Sequence, residues 1–261
     1  MALQPRRSPA EGDFLFEIDP EPLEESVTAW GGVPLLVRAL RSLDVPGQVK
    51  RNLRLKQRRR GYDEATYVES FVVLNALGGD CLEDFERLKE DEGLAEMLGH
   101  EIPSPEAARK FLYQFHEEAN IEQAQQELAL GQVSYIPAES APLRGLAQVN
   151  RAVVGEVGWR SPDQKIATID LDATVIESWK REAKPTYEGS RGYQPLLALW
   201  AELLRARPKR LRFLILQTPA KLAHHARRVR LRLKRAREQI RRWVEALAWL
   251  PAPAEREKTR H

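Results

Sequence analysis

Asp170 and Asp172 stand two positions apart in the run Ile166-Ala-Thr-Ile-Asp-Leu-Asp-Ala-Thr-Val-Ile-Glu177, where branched apolar residues alternate with polar ones. Such alternation predicts a strand over 166–176, and on a strand residues i and i+2 point to the same face. Acids are depleted in strands, so two on one strand face suggest that they hold something, and a divalent cation is the usual partner. Asp172 is also the last aspartate of the sequence, with 89 residues still to follow.

The basic residues make a second chemical feature. From residue 203 onward there are 18 Lys and Arg against 4 Glu and no Asp, a balance of +14, while the first 202 residues carry −11; the net charge of +3 hides this split. A tail of that sign points to a polyanion, with nucleic acid as the expected partner. Three groups are candidate DNA contacts. Arg58, Arg59 and Arg60 close a basic run that starts at Lys50. Arg109 and Lys110 lie on a helix predicted after Pro103-Ser104-Pro105, with Ser104 as N-cap and Pro105 at N1. Arg228, Arg230 and Arg232 alternate with Val229, Leu231 and Leu233, and would line one face of a strand. The bland reading of each is a solvated surface. The adjacent pair His224-His225 reads as ordinary surface.

The elements that must position these residues follow from periodicity. Residues 1–25, rich in Pro and acids, are expected to be disordered. The span 26–130 reads as a helical domain with a possible helix-turn-helix. Its predicted helices cover 26–45 (interrupted at Gly31-Gly32 and broken at Val45-Pro46-Gly47), 63–77, a segment capped by Asp80 with Leu82, Phe85 and Leu88, a short segment at 91–98, the Ser104-capped helix and 120–130. In that capped helix Phe111, Leu112 and Phe115 are expected to face inward. Residues 131–163 read as a linker with a short helix at 144–154. The strand at 166–176 and a second at Gly192–Ala201 are expected to pair antiparallel, with Pro195 at an edge or an entry position. In the tail, 210–216 and 228–233 are expected to form a β-ribbon around Pro219-Ala-Lys-Leu, and 234–250 a helix. The fold class is therefore α+β. A two-stranded hairpin is marginal alone, so the 166–200 hairpin is expected to join the tail ribbon in one mixed sheet. One cysteine, Cys81, excludes an internal disulfide and fits a reducing compartment. The N-terminus lacks an apolar leader core and no window is long and apolar enough for a membrane span, so a cytoplasmic, nucleoid-associated protein is expected.

Asp170-Leu-Asp-Ala-Thr174, then Tyr187-Glu-Gly-Ser-Arg-Gly-Tyr-Gln-Pro-Leu-Leu-Ala-Leu-Trp-Ala-Glu202, resembles bacterial insertion-sequence transposases with a DDE domain of the group 1 type. Leu74-Asn-Ala-Leu-Gly-Gly-Asp-Cys-Leu-Glu-Asp84, Pro103-Ser-Pro-Glu-Ala-Ala-Arg109 and the stretch 210–233 are similar to that family as well. The resemblance implies an RNase H-like catalytic domain, with two Asp and one Glu holding two Mg²⁺ ions that cut and rejoin DNA at the element's terminal inverted repeats. Two hard cations about 3.5–4 Å apart clamp an in-line displacement at phosphorus. The first aspartate of that set maps onto Asp172, with Asp170 as the neighbouring ligand position. The family's central section, with the remaining strands, the second Asp and the Glu, is missing between Glu202 and Leu203. The resemblance thus implies an internally deleted transposase: the residues 164–202 would be the first hairpin of the catalytic fold, and 203–261 the basic C-terminal segment, ribbon plus helix. It also implies oligomers, either with itself or with an intact transposase. Three functions compete: DNA transposition, DNA binding without catalysis that interferes with an intact copy, and a decaying product without function.

Overall fold

The computed structural model describes residues 27–55, 61–129, 138–160, 166, 168–179, 183–200, 212–225, 228–233 and 241. The expected disordered N-terminus (1–25), Arg58, Arg59 and Arg60, and all of the C-terminal helix except Arg241 lie outside them.

The described chain is α+β. Strand β1 (Val27–Thr28) leads into α1 (Val33–Ser42), α2 (Val45–Asn52), α3 (Glu64–Leu77), α4 (Asp84–Lys89), α5 (Glu92–Leu98), α6 (Pro105–Tyr113), α7 (Glu118–Ala129) and α8 (Ala141–Trp159). Strands β2 (Ile169–Ala173), β3 (Ile176–Glu177), β4 (Lys184–Pro185), β5 (Arg191–Tyr193) and β6 (Leu196–Trp200) follow. A π-helical turn, Arg212–Leu216, then precedes β7 (Ala220–His225) and β8 (Arg228–Leu233).

Several helices start where the sequence says they must. Asp63 accepts from the Thr66 N–H at the head of α3, Ser104 from Ala107 at α6, and Ser140 from Leu143 at α8, each satisfying an amide that a helix N-terminus leaves open. Gly78 closes α3 with φ of 93°, a conformation that suits glycine. Other expectations need correction. The first helix begins at Val33 rather than at 26, because Val27–Thr28 joins a sheet. The first helix does end ahead of Val45-Pro46-Gly47, at Ser42, but these residues open α2: Asp44 takes the left-handed conformation (φ 55°) and bends the path, and Pro46 sits in the first turn, where its missing N–H costs nothing. Asp80 does not cap α4: the N-cap position is Glu83, without a side-chain cap, and Asp84 in the first turn accepts from the Asp80 and Cys81 amides of the preceding turn.

Two apolar clusters hold the helices. One gathers Val33, Val37, Val73, Leu77, Phe85, Leu94 and Leu98, together with Ile215 and Leu216 from the C-terminal segment. The other joins Val45, Val49, Leu53, Tyr67 and Phe111 to Val149 of α8, with Tyr67 and Phe111 stacked at 4.4 Å between centroids. Leu112, expected inside, is 41% exposed, while Phe111 alone of the two fills the core. The passage at 131–163 is correspondingly more than a linker: its expected helix at 144–154 runs Ala141–Trp159 and buries Val149 against α2 and α3.

Arginines close the carboxyl ends of three helices. Arg41 donates to the Leu98 carbonyl at the end of α5 (2.6 Å), Arg160 to Ser42 at the end of α1 (2.6 Å), and Arg212 to Asn75 and Ala76 at the end of α3 (3.0 and 2.9 Å). Each satisfies carbonyls left open by the helix and sets positive charge against the negative end of its dipole.

The sheets are small and separate. β1, β7 and β8 form one in the order β1-β7-β8, β2 pairs with β6, and β3, β5 and β4 form a third; all pairings are antiparallel. The expected pairing of the Asp170–Asp172 strand with the 192–201 strand is present, but both strands break, at Thr174-Val175 and Gln194-Pro195, so their outer parts belong to another sheet. The expected single mixed sheet does not form: β8 lies in the β1-β7-β8 sheet and β2 in the β2-β6 sheet. Of the expected 210–216 strand, the described part, Arg212–Leu216, is a π-helical turn that buries Ile215 and Leu216, while 210 and 211 lie outside the described residues; the partner of 228–233 is Ala220–His225. Burial outweighed the β-propensity of Phe-Leu-Ile-Leu.

Candidate nucleic-acid interface

The β7–β8 ribbon is amphipathic. Its register pairs Ala220 with Leu233, Lys221 with Arg232, Leu222 with Leu231, Ala223 with Arg230 and His225 with Arg228. Directly opposed residues of an antiparallel pair share a face. One face therefore collects Arg230, Arg232 and Lys221, and the backbone of Arg228 continues the same register. The other collects Ala220, Leu222, Leu231 and Leu233, with Leu222 only 1% exposed and close enough to α5 that a Cβ on Gly93 would lie 2.8 Å from its Cδ1. The apolar face rests on the helices and the other is turned out: Arg230 and Arg232 are exposed. Alternate residues on a strand are about 6.8 Å apart, about twice the 3.4 Å axial phosphate spacing of one DNA strand, and a two-stranded ribbon fits the major groove. Lys221 was missed in the sequence because the first strand of the ribbon was expected at 210–216; the alternation of Lys221, Ala223 and His225 opposite the arginines is the signal that finds it.

The other predicted contacts are arranged differently. On α6 Lys110 is exposed and Arg109 half-buried; Arg109 pairs with Glu83 (2.8 Å) and Glu106 (3.2 Å), and Lys110 with Glu106 (3.3 Å). Two cations and two carboxylates leave no net charge for a phosphate. At the head of the basic run, Lys50 and Arg51 face Asp63 and Asp44. The structure does not bring α6 and the ribbon arginines onto one continuous basic surface through any contact among the described residues.

Asp170 and Asp172 sit on β2 opposite Leu199 and Leu197, and both are exposed. Near them, the Glu188 carboxylate, and more weakly Asp172, raise the Tyr187 phenol above its ordinary value, so Glu188 shares the local negative field. Among the described residues, no group of three or more His, Cys, Asp or Glu is placed to hold a metal ion. The donor set on β2 is one pair of carboxylates on an exposed strand. Two Mg²⁺ ions need more hard ligands than that, so these residues do not by themselves fit a two-ion centre. No helix among the described residues is long and apolar enough to cross a membrane.

No family model, no curated protein and no solved structure matches this chain.

Proposed function

We propose that this chain is a DNA-binding protein of the insertion-sequence transposase type, one that occupies DNA without cutting it. The observation that carries this reading is the β7–β8 ribbon, with Arg230, Arg232 and Lys221 on one face and Leu222 buried on the other. The strongly basic sequence after residue 202 supports it, since phosphate contacts dominate DNA affinity. In the same reading the β2–β6 hairpin is the start of an RNase H-like domain, and Asp172 with Asp170 is the first part of its Mg²⁺ site. No aspartate follows Asp172 among these 261 residues. The natural target is the element's terminal inverted repeats, and the consequence is interference with an intact transposase there, through shared DNA or mixed oligomers.

The test is a titration of duplex DNA carrying the inverted repeats that flank the gene, at several salt concentrations. Affinity is expected to fall steeply between about 50 and about 200 mM salt. Neutralising Arg230 and Arg232 to Gln is expected to reduce the magnitude of the log–log slope by roughly 0.9 for each phosphate that the protein no longer neutralises. Affinity that ignores salt, or is untouched by both substitutions, defeats the proposal.

A further inference from the structure

Two strand edges are unpaired among the described residues, and they are complementary. Among the described residues β2 pairs only with β6 and β8 only with β7, so each presents an open row of N–H and C=O groups on its outer side. Such edges are templates for another strand. Read in opposite directions, Ile169-Asp170-Leu171-Asp172-Ala173 matches Leu233-Arg232-Leu231-Arg230-Val229 at all five positions. Each aspartate meets an arginine, Ile169 and Leu171 meet leucines, and Ala173 meets Val229. Because side chains alternate with period two, a slip by one residue sets every aspartate against an apolar residue; a slip by two keeps both aspartates opposite cations but sets Ala173 against Arg227 or Ile169 against Arg235, so only this register matches at all five positions.

The side chains concerned are accessible. Asp170, Asp172, Arg230 and Arg232 are all exposed and make no hydrogen bond or ion pair among the described residues. Ile169 and Leu171 are 53% and 61% exposed. Within one chain the two edges belong to different sheets.

We propose that the β2 edge of one copy pairs antiparallel with the β8 edge of a second copy, with Asp170 opposite Arg232 and Asp172 opposite Arg230. The sheet β1-β7-β8 gains a fourth strand, whose apolar side continues the face that carries Leu222 and Leu231. The occupant is a second copy because both halves of the charge and apolar pattern are written in this one sequence. The contact is head-to-tail, so two copies close it reciprocally or further copies extend it. It also covers Arg230 and Arg232, and so competes with a polyanion for them.

The test uses the full chain in sedimentation equilibrium. The wild type is expected to self-associate with rising concentration, and less so as salt screens the pairs. The double variants Asp170→Arg/Asp172→Arg and Arg230→Asp/Arg232→Asp are each expected to be monomeric, and an equimolar mixture of the two to associate again, because every contact between unlike variants is then complementary. In a Cys81→Ser background, chains with Leu171→Cys and chains with Leu231→Cys are expected to form a mixed disulfide under mild oxidation. A wild type that stays monomeric, self-association that survives either charge reversal, or a mixture that does not reassociate overturns the proposal. Circular dichroism checks that the variants are folded, and the charge-swapped mixture keeps the result decisive. DNA titration of the wild type in the same buffers judges the DNA-binding reading separately.

Discussion

Arg212 closes the end of a helix that finished 135 residues earlier: its Nε donates to the Ala76 carbonyl at 2.9 Å, and its Nη2 reaches Asn75 at 3.0 Å. Beside it the Gln217 amide approaches the Leu77 carbonyl at 3.5 Å, while Ile215 and Leu216 enter the same apolar cluster as Leu77. Residues 212–217 are thus part of the helical body.

Removing the guanidinium should therefore loosen the body. Hydrogen bonds to a charged group contribute about 1.5–3 kcal/mol. Arg212→Met keeps the apolar stem and is expected to lose stability in that range, measured from the urea midpoint. Arg212→Lys, with a single ammonium in place of the planar fork, should recover only part. An unshifted midpoint for Arg212→Met would show that the clamp contributes nothing.

Gly31 and Gly32 donate to the Thr218 and Leu216 carbonyls at 2.8 and 3.3 Å. A Cβ on Gly32 would lie 2.0 Å from the Ile215 carbonyl oxygen and 2.8 Å from the Leu216 Cα, both backbone atoms that have little room to give. Gly32→Ala is expected to cost at least the upper end of the about 1–3 kcal/mol typical of overpacking. A wild-type urea midpoint would mean that 215–220 does not seat against this pair.

Glu69 is buried between Arg41 (2.8 Å) and the ring of His100 (Nε2 at 3.3 Å). The other ring nitrogen of His100 faces the Glu101 carbonyl at 2.9 Å, so only the imidazolium donates to both. The hydrogen bond to Glu69 holds the His100 pKa up against the effect of burial. For Glu69, burial pushes the carboxyl upward, but the hydrogen bonds from His100 and Arg41 more than offset it and leave it below the usual range. The raised histidine stabilises the fold fully below about 6.5 and loses this contribution as pH rises through its folded value; the depressed carboxylate stabilises above its unfolded value and loses it as pH falls through its folded one. Thermal stability is expected to decline as pH is raised from about 6 to about 8 in the wild type, and less so in His100→Gln. Parallel pH profiles for the two proteins would contradict this.

The carboxylate pair on β2 leads to a separate expectation. Incubated with Mg²⁺ and terminal-repeat DNA, the wild type should nick no faster than Asp172→Asn. Nicking that is Mg²⁺-dependent and abolished in Asp172→Asn would show that a complete metal centre assembles, contrary to the proposed non-catalytic function.

Local chemistry made much of this protein legible in its sequence. Helices α3 and α6 carry their own caps in Asp63 and Ser104, and the alternation around Asp170 and Asp172 produced β2 with its partner at 196–200. The basic face of the ribbon was readable from Arg228, Arg230 and Arg232, since a period of two needs no tertiary knowledge. Long-range contacts decided the rest. The run 212–216 has the composition of a strand, yet burying Ile215 and Leu216 beside α3 made it a π-helical turn and moved the ribbon to 220–233. Gly31-Gly32 looked like a helix interruption and proved to be the place where two distant backbones meet. Arginine showed the limit most plainly. Its sequence context gives a charge but not the direction in which the guanidinium points, and so Arg41, Arg160 and Arg212 cap helices, Arg109 pairs with glutamates, and Arg230 and Arg232 alone of these are turned outward without a partner among the described residues. Residue type and period are properties of neighbours along the chain, whereas the partner of a long charged side chain is set by what folding brings beside it.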